Sequence, residues 1–545
     1  MTKFSFHLGS RFTSRCSLLV LLVSIFFGTD HLLGQGPDLR RLFPAGVQRG
    51  QSIEVRALGN APTWPVQVWS DTSDIVWEPQ TEKGVFRVTA TPTRRLGLHR
   101  VRFFDADGAT SVLKFMVGSI PEANEVEPND ETKNASANAA MSILWNGVLE
   151  KRGDVDVFAF DAKAGQTIVA SLVGQQQLRS PMDACLQILS SRGNVLVENH
   201  DGIGLDPMLA FTVPEDGQYF IRTFAFPESP DSSIGYSGGD NYVYRLTVTT
   251  QGFIRGARPL TISQQQPTPI ELLGWNITDS IRDQTIPPPS NSLPTQWTLD
   301  GFANYIELPV STNPVVAETR SSENNSQSIP IPCSVTGCIS SEKEIDRYRF
   351  TAPKDTRWSI RVASRTLGFP ADVVLRVLDA AGTQLARDDD SNGGIDASLT
   401  WQSPAEGEYQ LEVSDLYGYG GLDYLYRIDL ETPVPEVKLR VETDSFKGAV
   451  NAVIEIPVSI ERLNGFVSPL KVSVSGLPPS AKCEPVISAA EGETSKSVKL
   501  LITGSEKFSG PITIQALVED ASGITRHTTP TTDEALQIFW LSIRP

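Results

Sequence analysis

The chain has 545 residues, and its 64 acidic and 47 basic residues give a net charge of −17 at pH 7. An acidic surface repels phosphate groups, so this balance argues against nucleic acid or an anionic membrane as the partner. The length indicates several domains, and five cysteines are too few for a disulfide scaffold of that size.

The first 35 residues are predicted to be a secretory signal peptide. Lys3, Arg11 and Arg15 precede an apolar run from Leu18 to Phe27, and this run is too short to span a bilayer as a stable helix. No later apolar stretch is long enough to cross a membrane. We therefore predict a secreted protein, periplasmic or extracellular, without a membrane span.

Residues 36–119 are predicted to fold as an Ig-like β-sandwich, because apolar and polar positions alternate in short runs between turn residues. Residues 251–317 are predicted to form a shorter β or Ig-like segment. Gly59 and Gly274 lie 215 positions apart with matching apolar neighbours, which suggests that the shorter segment repeats the first domain.

A longer unit occurs twice, over residues 120–250 and 318–432. Gly217 and Gly407 lie 190 positions apart, and matching strand-like runs surround both. Within residues 372–378, Val373, Leu375 and Val377 share one parity and Asp372, Val374 and Arg376 occupy the other, as in a strand that packs on one face. The duplication predicts two β-sandwiches of the same kind.

Both copies contain the pattern Pro-x-x-Gly-x-Tyr directly before a strand, ending at Tyr219 and Tyr409. We expect each hydroxyl to hydrogen-bond to the backbone of its own turn, as tyrosines do at the corners of such sandwiches.

Two further motifs characterise the repeated unit. The first copy reads Glu-Val-Glu-Pro-Asn-Asp at 125–130 and Asp-Val-Asp-Val-Phe-Ala-Phe at 154–160, and the second reads Glu-Ile-Asp-Arg-Tyr-Arg-Phe at 344–350. With these motifs both copies resemble the bacterial pre-peptidase C-terminal domain. The resemblance implies a β-sandwich that commonly accompanies peptidases, in a family that includes binders of polymeric substrates.

Residues 433–545 resemble bacterial Ig-like repeats, with strand-like runs and a Gly-Leu-Pro turn at 476–478. The predicted fold class is therefore all-β: tandem β-sandwiches of jelly-roll or Ig-like type, with no sustained helix outside the signal peptide. Cys333 and Cys338 lie an odd number of positions apart in one predicted strand and would face opposite sides, so we do not expect them to pair.

Carboxylates and an amide at the start of the first copy suggest a calcium site, because calcium takes hard oxygen ligands, and the resemblance places ligands there as well. The candidate ligands are Glu125, Glu127, Asn129, Asp130, Asp154 and Asp156. A solvated acidic linker, directed by Pro128, is the alternative. In the second copy this proline is missing and Arg320 intervenes, which makes calcium doubtful there.

The second copy has another acidic loop with the spacing of a calcium-binding loop. The candidate ligands are Asp388, Asp390, Asn392 and Asp396. Leu399 occupies the twelfth position, where such loops carry a bidentate glutamate, and strands rather than helices flank the loop. A plain acidic β-turn is the competing interpretation.

No catalytic residues are predicted. Gly235 to Gly239 match the letters of a nucleophile elbow, but that motif needs a strand before the serine and a helix after it. Here a loop leads into a predicted strand. The sequence also lacks a His-Glu-x-x-His zinc motif. We therefore predict that the protein is not an enzyme.

Tyr417 and Tyr419 lie in a glycine-rich loop of the second copy, where flat rings could stack on sugars or on extended peptides. The alternative is that they only fill a turn. The function we predict is that of an adhesive or substrate-binding scaffold, with a polysaccharide or an extracellular protein polymer as the partner. An accessory or targeting subunit of a secreted peptidase or other hydrolase is the alternative.

Overall fold

The computed structural model describes residues 36–138, 140–229, 235–319, 326–390, 394–518 and 524–545. Strands predominate, and the helical elements in these ranges are single turns: α1 Gln175–Leu178, α2 Asp279–Arg282 and the 3₁₀ turns Thr132–Asn134 and Arg365–Leu367. None of these helices could span a membrane. The all-β prediction is confirmed, while the predicted signal peptide lies outside the described residues.

The first sandwich comprises residues 38–118. Its strands are β1 Asp38–Phe43, β2 Gly46–Gln48, β3 Ser52–Asn60, β4 Gln67–Ser70, β5 Ile75–Pro79, β6 Val85–Ala90, β7 Gly97–Asp105, β8 Gly108–Ala109 and β9 Leu113–Gly118. One sheet has the order β1-β3-β6-β5 and the other β2-β9-β7-β4, with β8 paired to β7. In the core, Trp77 meets Phe86, Phe103 and Phe115 edge-on, a favourable arrangement for aromatic rings.

The first repeat, residues 122–249, is built from two five-stranded sheets. Its strands are β10 Glu122–Asn124, β11 Ser136–Ala137, β12 Ile143–Val148, β13 Asp156–Ala162, β14 Thr167–Val173, β15 Met182–Leu189, β16 Val195–Asn199, β17 Met208–Thr212, β18 Gly217–Pro227 and β19 Val243–Thr249. The sheet orders are β10-β12-β19-β14-β17 and β11-β13-β18-β15-β16.

The middle segment, residues 253–311, contains three small sheets. Its strands are β20 Phe253–Arg258, β21 Ile262–Ser263, β22 Thr268–Trp275, β23 Asp283–Ile286, β24 Thr295–Trp297, β25 Ile306–Leu308 and β26 Val310–Ser311. The sheets are β20-β22-β23, β21-β26 and β24-β25. The ladder of β20 with β22 has a bulge at 254–256, and that of β1 with β3 has one at 39–41. The two bulges lie 215 positions apart, so the backbone repeats at the spacing of Gly59 and Gly274.

The second repeat, residues 315–431, has the same topology as the first. Its strands are β27 Val315–Ala317, β28 Gln327–Ser328, β29 Cys333–Cys338, β30 Asp346–Ala352, β31 Arg357–Ala363, β32 Val373–Asp379, β33 Gln384–Asp388, β34 Ser398–Gln402, β35 Gly407–Asp415 and β36 Leu425–Glu431. The orders β27-β29-β36-β31-β34 and β28-β30-β35-β32-β33 match the first repeat strand for strand. Val373, Leu375 and Val377 are fully buried in its core, as the alternation predicted.

The last sandwich comprises residues 436–544. Its strands are β37 Glu436–Val441, β38 Ser445–Ala449, β39 Val453–Leu463, β40 Leu470–Ser475, β41 Ala481–Cys483, β42 Val486–Ser488, β43 Ser497–Gly504, β44 Phe508–Val518, β45 Thr525–His527, β46 Thr529–Pro530 and β47 Phe539–Arg544. The sheet orders are β41-β43-β39-β37-β46 and β38-β47-β44-β40-β42, with β45 paired to β44.

Cys333 and Cys338 lie at opposite ends of β29. Cys333 has a free thiol, whereas the Cys338 thiol contacts the carbonyl oxygen of Gly421 at 3.4 Å. The two residues do not pair with each other, in line with the prediction from strand geometry.

Both predicted tyrosine corners are present. The Tyr219 hydroxyl donates to the Glu215 carbonyl oxygen at 2.9 Å, and the Tyr409 hydroxyl donates to the Ala405 carbonyl oxygen at 2.6 Å. Each tyrosine is buried against its own core. The hydroxyls therefore tie a turn to the sandwich, as expected from the sequence.

Removal of either corner hydroxyl is expected to destabilise its repeat. Tyr219→Phe and Tyr409→Phe should each lower the free energy of unfolding by roughly 1 kcal/mol, the net contribution of a buried hydrogen bond. Urea unfolding measures the loss. Tyr424→Phe is the control, because this half-buried tyrosine donates no hydrogen bond to the described residues, and an equal loss in the control would contradict the assignment.

Each repeat begins and ends at the same end of its sandwich. In the first repeat β10 runs parallel to β12, with Glu122 opposite Leu144, and β19 runs antiparallel to β12, with Val248 opposite Ile143. Strands β27, β29 and β36 are arranged in the same way in the second repeat. The segments that lead into and out of a repeat therefore lie at the same end of one sheet, with a single strand between them.

Arg245 of β19 lies where the first repeat meets the first sandwich. This residue is 2% exposed, and its Nη2 lies 2.6 Å from Glu122 Oε1 while its Nη1 donates to Asn146 Oδ1 at 2.9 Å. A Cβ on Gly46 would lie 2.0 Å from Arg245 Nη1. Only glycine therefore allows β2 to approach this guanidinium.

The first sandwich also contacts the last one through buried charges. Arg102 is fully buried, and its Nη2 lies 2.7 Å from Asp444 Oδ2. Arg100 donates from both Nε and Nη2 to Asp533, each at 2.7 Å. Burial raises the pKa of Asp533, but hydrogen bonds from Arg100 and Lys114 outweigh it and hold this pKa well below its usual value.

Candidate metal centre

The candidate calcium ligands lie where the chain enters the first repeat, directly after β10. The Glu125 amide donates to the Asn146 carbonyl oxygen at 3.0 Å, and the Val157 amide donates to the Asn129 carbonyl oxygen at 3.1 Å. The Ser136 hydroxyl accepts from the Val126 amide at 2.9 Å. These bonds hold the segment of residues 125–130 across the ends of β12 and β13.

Two carboxylates and a tyrosine meet beneath this segment. Glu125 Oε1 accepts from the Val148 amide at 2.6 Å, and its Oε2 lies 3.1 Å from the Tyr244 hydroxyl. The same hydroxyl hydrogen-bonds to Asp156 Oδ2. Asp156 and Tyr244 are fully buried, and the close ring is admitted because Gly147 has no side chain. Tyr244 was not singled out from the sequence, so its role beside the carboxylates was missed.

Several carboxylate oxygens converge at this point, close to the Tyr244 hydroxyl. Glu125, Glu127 and Asp156 each place one carboxylate oxygen within 4.8 Å of the others. The side-chain amide of the buried Asn129 faces two of these groups, and its NH₂ donates to Asp156 Oδ1 at 3.2 Å and to Glu127 Oε1 at 3.3 Å. A cation among the carboxylates would instead be met by the amide oxygen, after the amide has turned over.

The two remaining candidates differ in their surroundings. Asp154 is buried, with Oδ2 accepting from the Glu150 amide at 2.5 Å. Its Oδ1 is buried without a hydrogen bond, and Lys151 Nζ approaches to 3.5 Å. Asp130 is exposed. The structure therefore brings Glu125, Glu127, Asn129 and Asp156 together, places Asp154 beside them and leaves Asp130 on the surface.

Burial raises the pKa of each clustered carboxyl group. It raises the pKa of Glu125 to about 7 against hydrogen bonds that lower it, and it raises the pKa of Glu127. The pKa of Asp156 lies well above its usual value because of burial and then the charge of Glu125. Carboxylates that cannot all ionise together in a buried site need either a proton or a cation.

The donor set fits calcium. It consists of carboxylate and amide oxygens, the hard ligands that calcium prefers, on an irregular segment that can adjust to the ion. Glu125, Glu127, Asn129 and Asp156 are the residues that would hold it. When bound, the cation would supply positive charge to this buried carboxylate cluster and fasten residues 125–130 to β13.

The stability of the chelator-treated protein is expected to fall as the pH rises. Because the pKa of Glu125 is raised in the folded state, its contribution is fully present below pH 4.5 and is lost as the pH rises through about 7. The resulting contribution of Glu125 to the free energy of unfolding is on the order of 3 kcal/mol. Urea unfolding between pH 4 and pH 8 measures this slope.

Calcium should reduce this loss of stability with rising pH, because the cation replaces the proton among the carboxylates. With a dissociation constant of roughly 0.1 to 1 mM, 1 mM calcium should add about 0.4 to 1.4 kcal/mol at neutral pH. Glu125→Gln is the control and should weaken both effects. A pH slope unchanged by Glu125→Gln would exclude this cluster as its source.

The second repeat contains a related cluster with a different composition. Asp346 Oδ2 accepts from the Tyr426 hydroxyl at 2.6 Å, and the hydroxyls of Tyr426 and Tyr348 are 2.7 Å apart. Glu318 Oε2 accepts from the Cys338 amide at 2.8 Å. Burial, followed by the charge of Glu318, raises the pKa of Asp346 to about 8. Tyr348 stands at the position of Phe158, while residues 320–325 lie outside the described residues.

The family of the repeats follows from their sequence as well as their topology. Residues 154–225 and 344–415 match the family model of the bacterial pre-peptidase C-terminal (PPC) domain. The chain carries two PPC domains. The resemblance inferred from the motifs is thereby confirmed, and each match falls within one of the two repeats.

Parts of this chain are similar to known proteins. A 99-residue segment is 33% identical to a protein described as a probable subtilase-type serine protease from Deinococcus radiodurans, covering 18% of this chain and 13% of that protein. The PPC domain of Bacillus anthracis collagenase is 15% identical and covers 21% of this chain and 100% of that domain, with a TM-score of 0.17. The N-terminal four Ig domains of Dscam1 are 9% identical over 93% of this chain and 99% of that chain, with a TM-score of 0.19.

The weaker calcium candidates of the second PPC domain contact backbone amides. Asp396 accepts from the amides of Arg365 and Thr366 at 2.8 and 3.0 Å, and Asp388 accepts from the Ser398 amide at 2.7 Å. Asp390 is exposed, and the prediction for Asn392 lies outside the described residues. Asp396 thus caps the 3₁₀ turn.

Asp206 caps α1 of the first PPC domain in the same way, at 2.8 Å from the Gln175 amide. Asp206 and Asp396 are 190 positions apart. This recurrence, in loops that otherwise differ, was the signal in the sequence for a structural role shared by both copies.

The nucleophile-elbow letters fall in a loop. The Ser237 amide donates to the Ala225 carbonyl oxygen at 2.7 Å, and β19 follows at Val243. A helix, which that motif requires after its serine, does not follow here.

Tyr417 and Tyr419 lie on a loop at the end of β35. Their side chains are 70% and 58% exposed, with ring centroids 6.2 Å apart and planes inclined by 33°. The loop is held from below by the buried Asp415, whose Oδ1 accepts from both tyrosine amides at 3.0 and 2.9 Å. Asp415 Oδ2 also accepts from the Asp372 amide at 3.0 Å. The pair is therefore presented outward on a fixed backbone.

Proposed function

We propose that this chain is a secreted, non-catalytic scaffold that attaches to an extracellular polymer through the second PPC domain. The observation that supports attachment is the pair Tyr417 and Tyr419, which exposes two large rings while hydrogen bonds to Asp415 fix their backbone. A fixed loop loses little conformational entropy on binding, so such rings can contribute most of their contact energy to affinity.

The corresponding surface of the first PPC domain is organised differently. Its Tyr236 packs on Phe224 with ring centroids 4.2 Å apart, and Ala225 stands at the position of Asp415. The two copies therefore divide their roles under this proposal. The second presents a ring pair to a polysaccharide or protein polymer, and the first holds calcium through Glu125, Glu127, Asn129 and Asp156.

Calcium would stiffen the scaffold at a junction between two domains. The clustered oxygens lie next to β10, which follows the first sandwich after only a short connection. A cation there would stiffen the junction between that sandwich and the first PPC domain. The gain of about 0.4 to 1.4 kcal/mol at 1 mM calcium is small beside a domain stability of about 5 to 15 kcal/mol, so calcium would set geometry rather than decide folding.

Co-sedimentation tests the attachment. Residues 36–545 are mixed with chitin, cellulose or collagen fibres, in calcium and then in chelator, and the pelleted fraction is measured. Tyr417→Ala with Tyr419→Ala should weaken retention about tenfold or more, the effect of losing a tyrosine hot spot. Tyr236→Ala is the matched control and should retain binding. Failure to pellet with any of the polymers, or retention unaffected by loss of the ring pair, would refute the proposal.

A second function is favoured by the similarity to the Deinococcus radiodurans protein, whose description is that of a serine protease. In this alternative the chain is an accessory subunit that positions a secreted peptidase. Immobilised residues 36–545 would then retain a serine hydrolase from the culture medium of the organism that makes it. A fluorophosphonate probe detects the retained enzyme, and an unlabelled eluate argues against a serine peptidase partner.

A further inference from the structure

A cleft of about 620 Å³ lies where the two PPC domains meet the middle segment. One wall is the loop of residues 199–205 in the first PPC domain, and the other is the turn of residues 365–370 in the second. Arg255 and Trp275 of the middle segment also line it. The volume falls within the roughly 300 to 1,000 Å³ of ligand-binding pockets.

Arg255 is the most unusual group in this cleft. Its guanidinium carbon lies 4.9 Å from the centre of the Phe369 ring, and its Nη2 donates to the Gly368 carbonyl oxygen. It forms no ion pair with any described residue, and burial lowers its pKa against the weak opposing influence of Asp423. A partly buried cation without a carboxylate partner carries a desolvation cost that a ligand carboxylate would offset.

The rest of the cleft carries both charges and apolar surface. Arg365 stands on the second wall with 46% of its side chain exposed, while Asp201 and Asp423 are exposed and line the same space. Ile395 is 50% exposed, and Trp275 is half-buried. This mixture offers partners for a carboxylate, for N–H donors and for an apolar side chain within one space.

We propose that this cleft binds a short acidic peptide segment, with a ligand carboxylate on Arg255 and an apolar side chain against Trp275. An acidic polysaccharide is the poorer fit, because its uniform negative charge would meet Asp201 and Asp423. A peptide can donate N–H groups to these two carboxylates. The site is separate from the Tyr417 and Tyr419 pair, so the two proposals stand or fall independently.

Two peptide pools test the proposal on residues 36–545. Both consist of fluorescein-labelled, amidated pentapeptides with random outer positions, one pool with a central Glu and the other with a central Gln. Fluorescence anisotropy should show at least tenfold tighter binding of the Glu pool, since a charge-assisted hydrogen bond contributes about 1.5 to 3 kcal/mol. Arg255→Gln should remove this preference.

Further variants separate a lost contact from a lost fold. Arg365→Gln should also weaken the Glu pool, whereas Arg357→Gln, an exposed arginine outside the cleft, should leave it unchanged. Replacing Tyr417 and Tyr419 with Ala should not affect peptide binding. Equal binding of the two pools, absence of binding, or binding of oligogalacturonate in place of peptides would each overturn the proposal.

Discussion

Arg102→Ala is expected to lower the free energy of unfolding by about 3 to 5 kcal/mol, because it removes one partner of a buried ion pair. Arg102 is fully buried. It donates to the Thr110 carbonyl oxygen at 2.9 Å and lies 2.7 Å from Asp444 Oδ2. The truncation leaves Asp444 partly buried without its cation. Urea unfolding of residues 36–545 measures the loss.

Two controls test whether the charge pair causes the loss. Arg87→Ala replaces an exposed arginine of the same sandwich and should change stability by less than about 0.5 kcal/mol. Arg102→Met combined with Asp444→Leu removes both charges and should recover most of the stability, since buried pairs are often replaced by apolar residues at little cost. A loss below about 1 kcal/mol for Arg102→Ala would contradict the prediction.

Gly147→Ala and Gly337→Ala are expected to destabilise the two PPC domains by about 1 to 3 kcal/mol each, the cost of overpacking a filled core. A Cβ at residue 147 would lie 2.2 Å from Tyr244 Cζ, and one at residue 337 would lie 2.2 Å from the Tyr426 hydroxyl. Both tyrosines are fully buried beside their carboxylates, so the rings have no free space to occupy.

Comparison of these two variants also distinguishes the carboxylate cluster of the first PPC domain from that of the second. Gly147→Ala displaces Tyr244 from Glu125 and Asp156, and it should therefore weaken the response to calcium, which Gly337→Ala should leave intact. Gly217→Ala and Gly407→Ala are matched controls, because nothing lies within 4 Å of a Cβ at either position. Differential scanning calorimetry in calcium and in chelator measures both effects. Controls that destabilise as strongly would refute the steric argument.

Local features of the fold were predictable because short-range patterns determine them. The alternation around Val373 to Val377 marks a buried strand face, and the position of Tyr409 in its turn predicts the hydroxyl contact with Ala405. The carboxylate cluster was predictable in part. Glu127 and Asn129 are neighbours in sequence, and Asp156 belongs to a motif repeated at a spacing of 190.

Contacts between distant segments could not be predicted. Tyr244 meets Glu125 across 119 positions and Arg102 meets Asp444 across 342, and no local pattern links either pair. Gly147 pairs with Tyr244 in the first copy, and Gly337 pairs with Tyr426 in the second. This recurrence of a glycine and a tyrosine in both copies is visible in the sequence. Asp396 has the spacing of a metal loop, and its carboxylate accepts from two backbone amides that no local pattern predicts.

Both ends of a PPC domain lie at the same end of its sandwich with a single strand between them, and this placement has a mechanical consequence. A pull transmitted along the chain crosses the first repeat only at its base, through β10, β12 and β19. The first sandwich and the middle segment also touch directly, with Gln296 donating to the Leu96 carbonyl oxygen at 2.8 Å and Ser119 donating to that of Ala303 at 2.8 Å. Tension can therefore pass between these two units while the body of the PPC domain stands to one side of the load path.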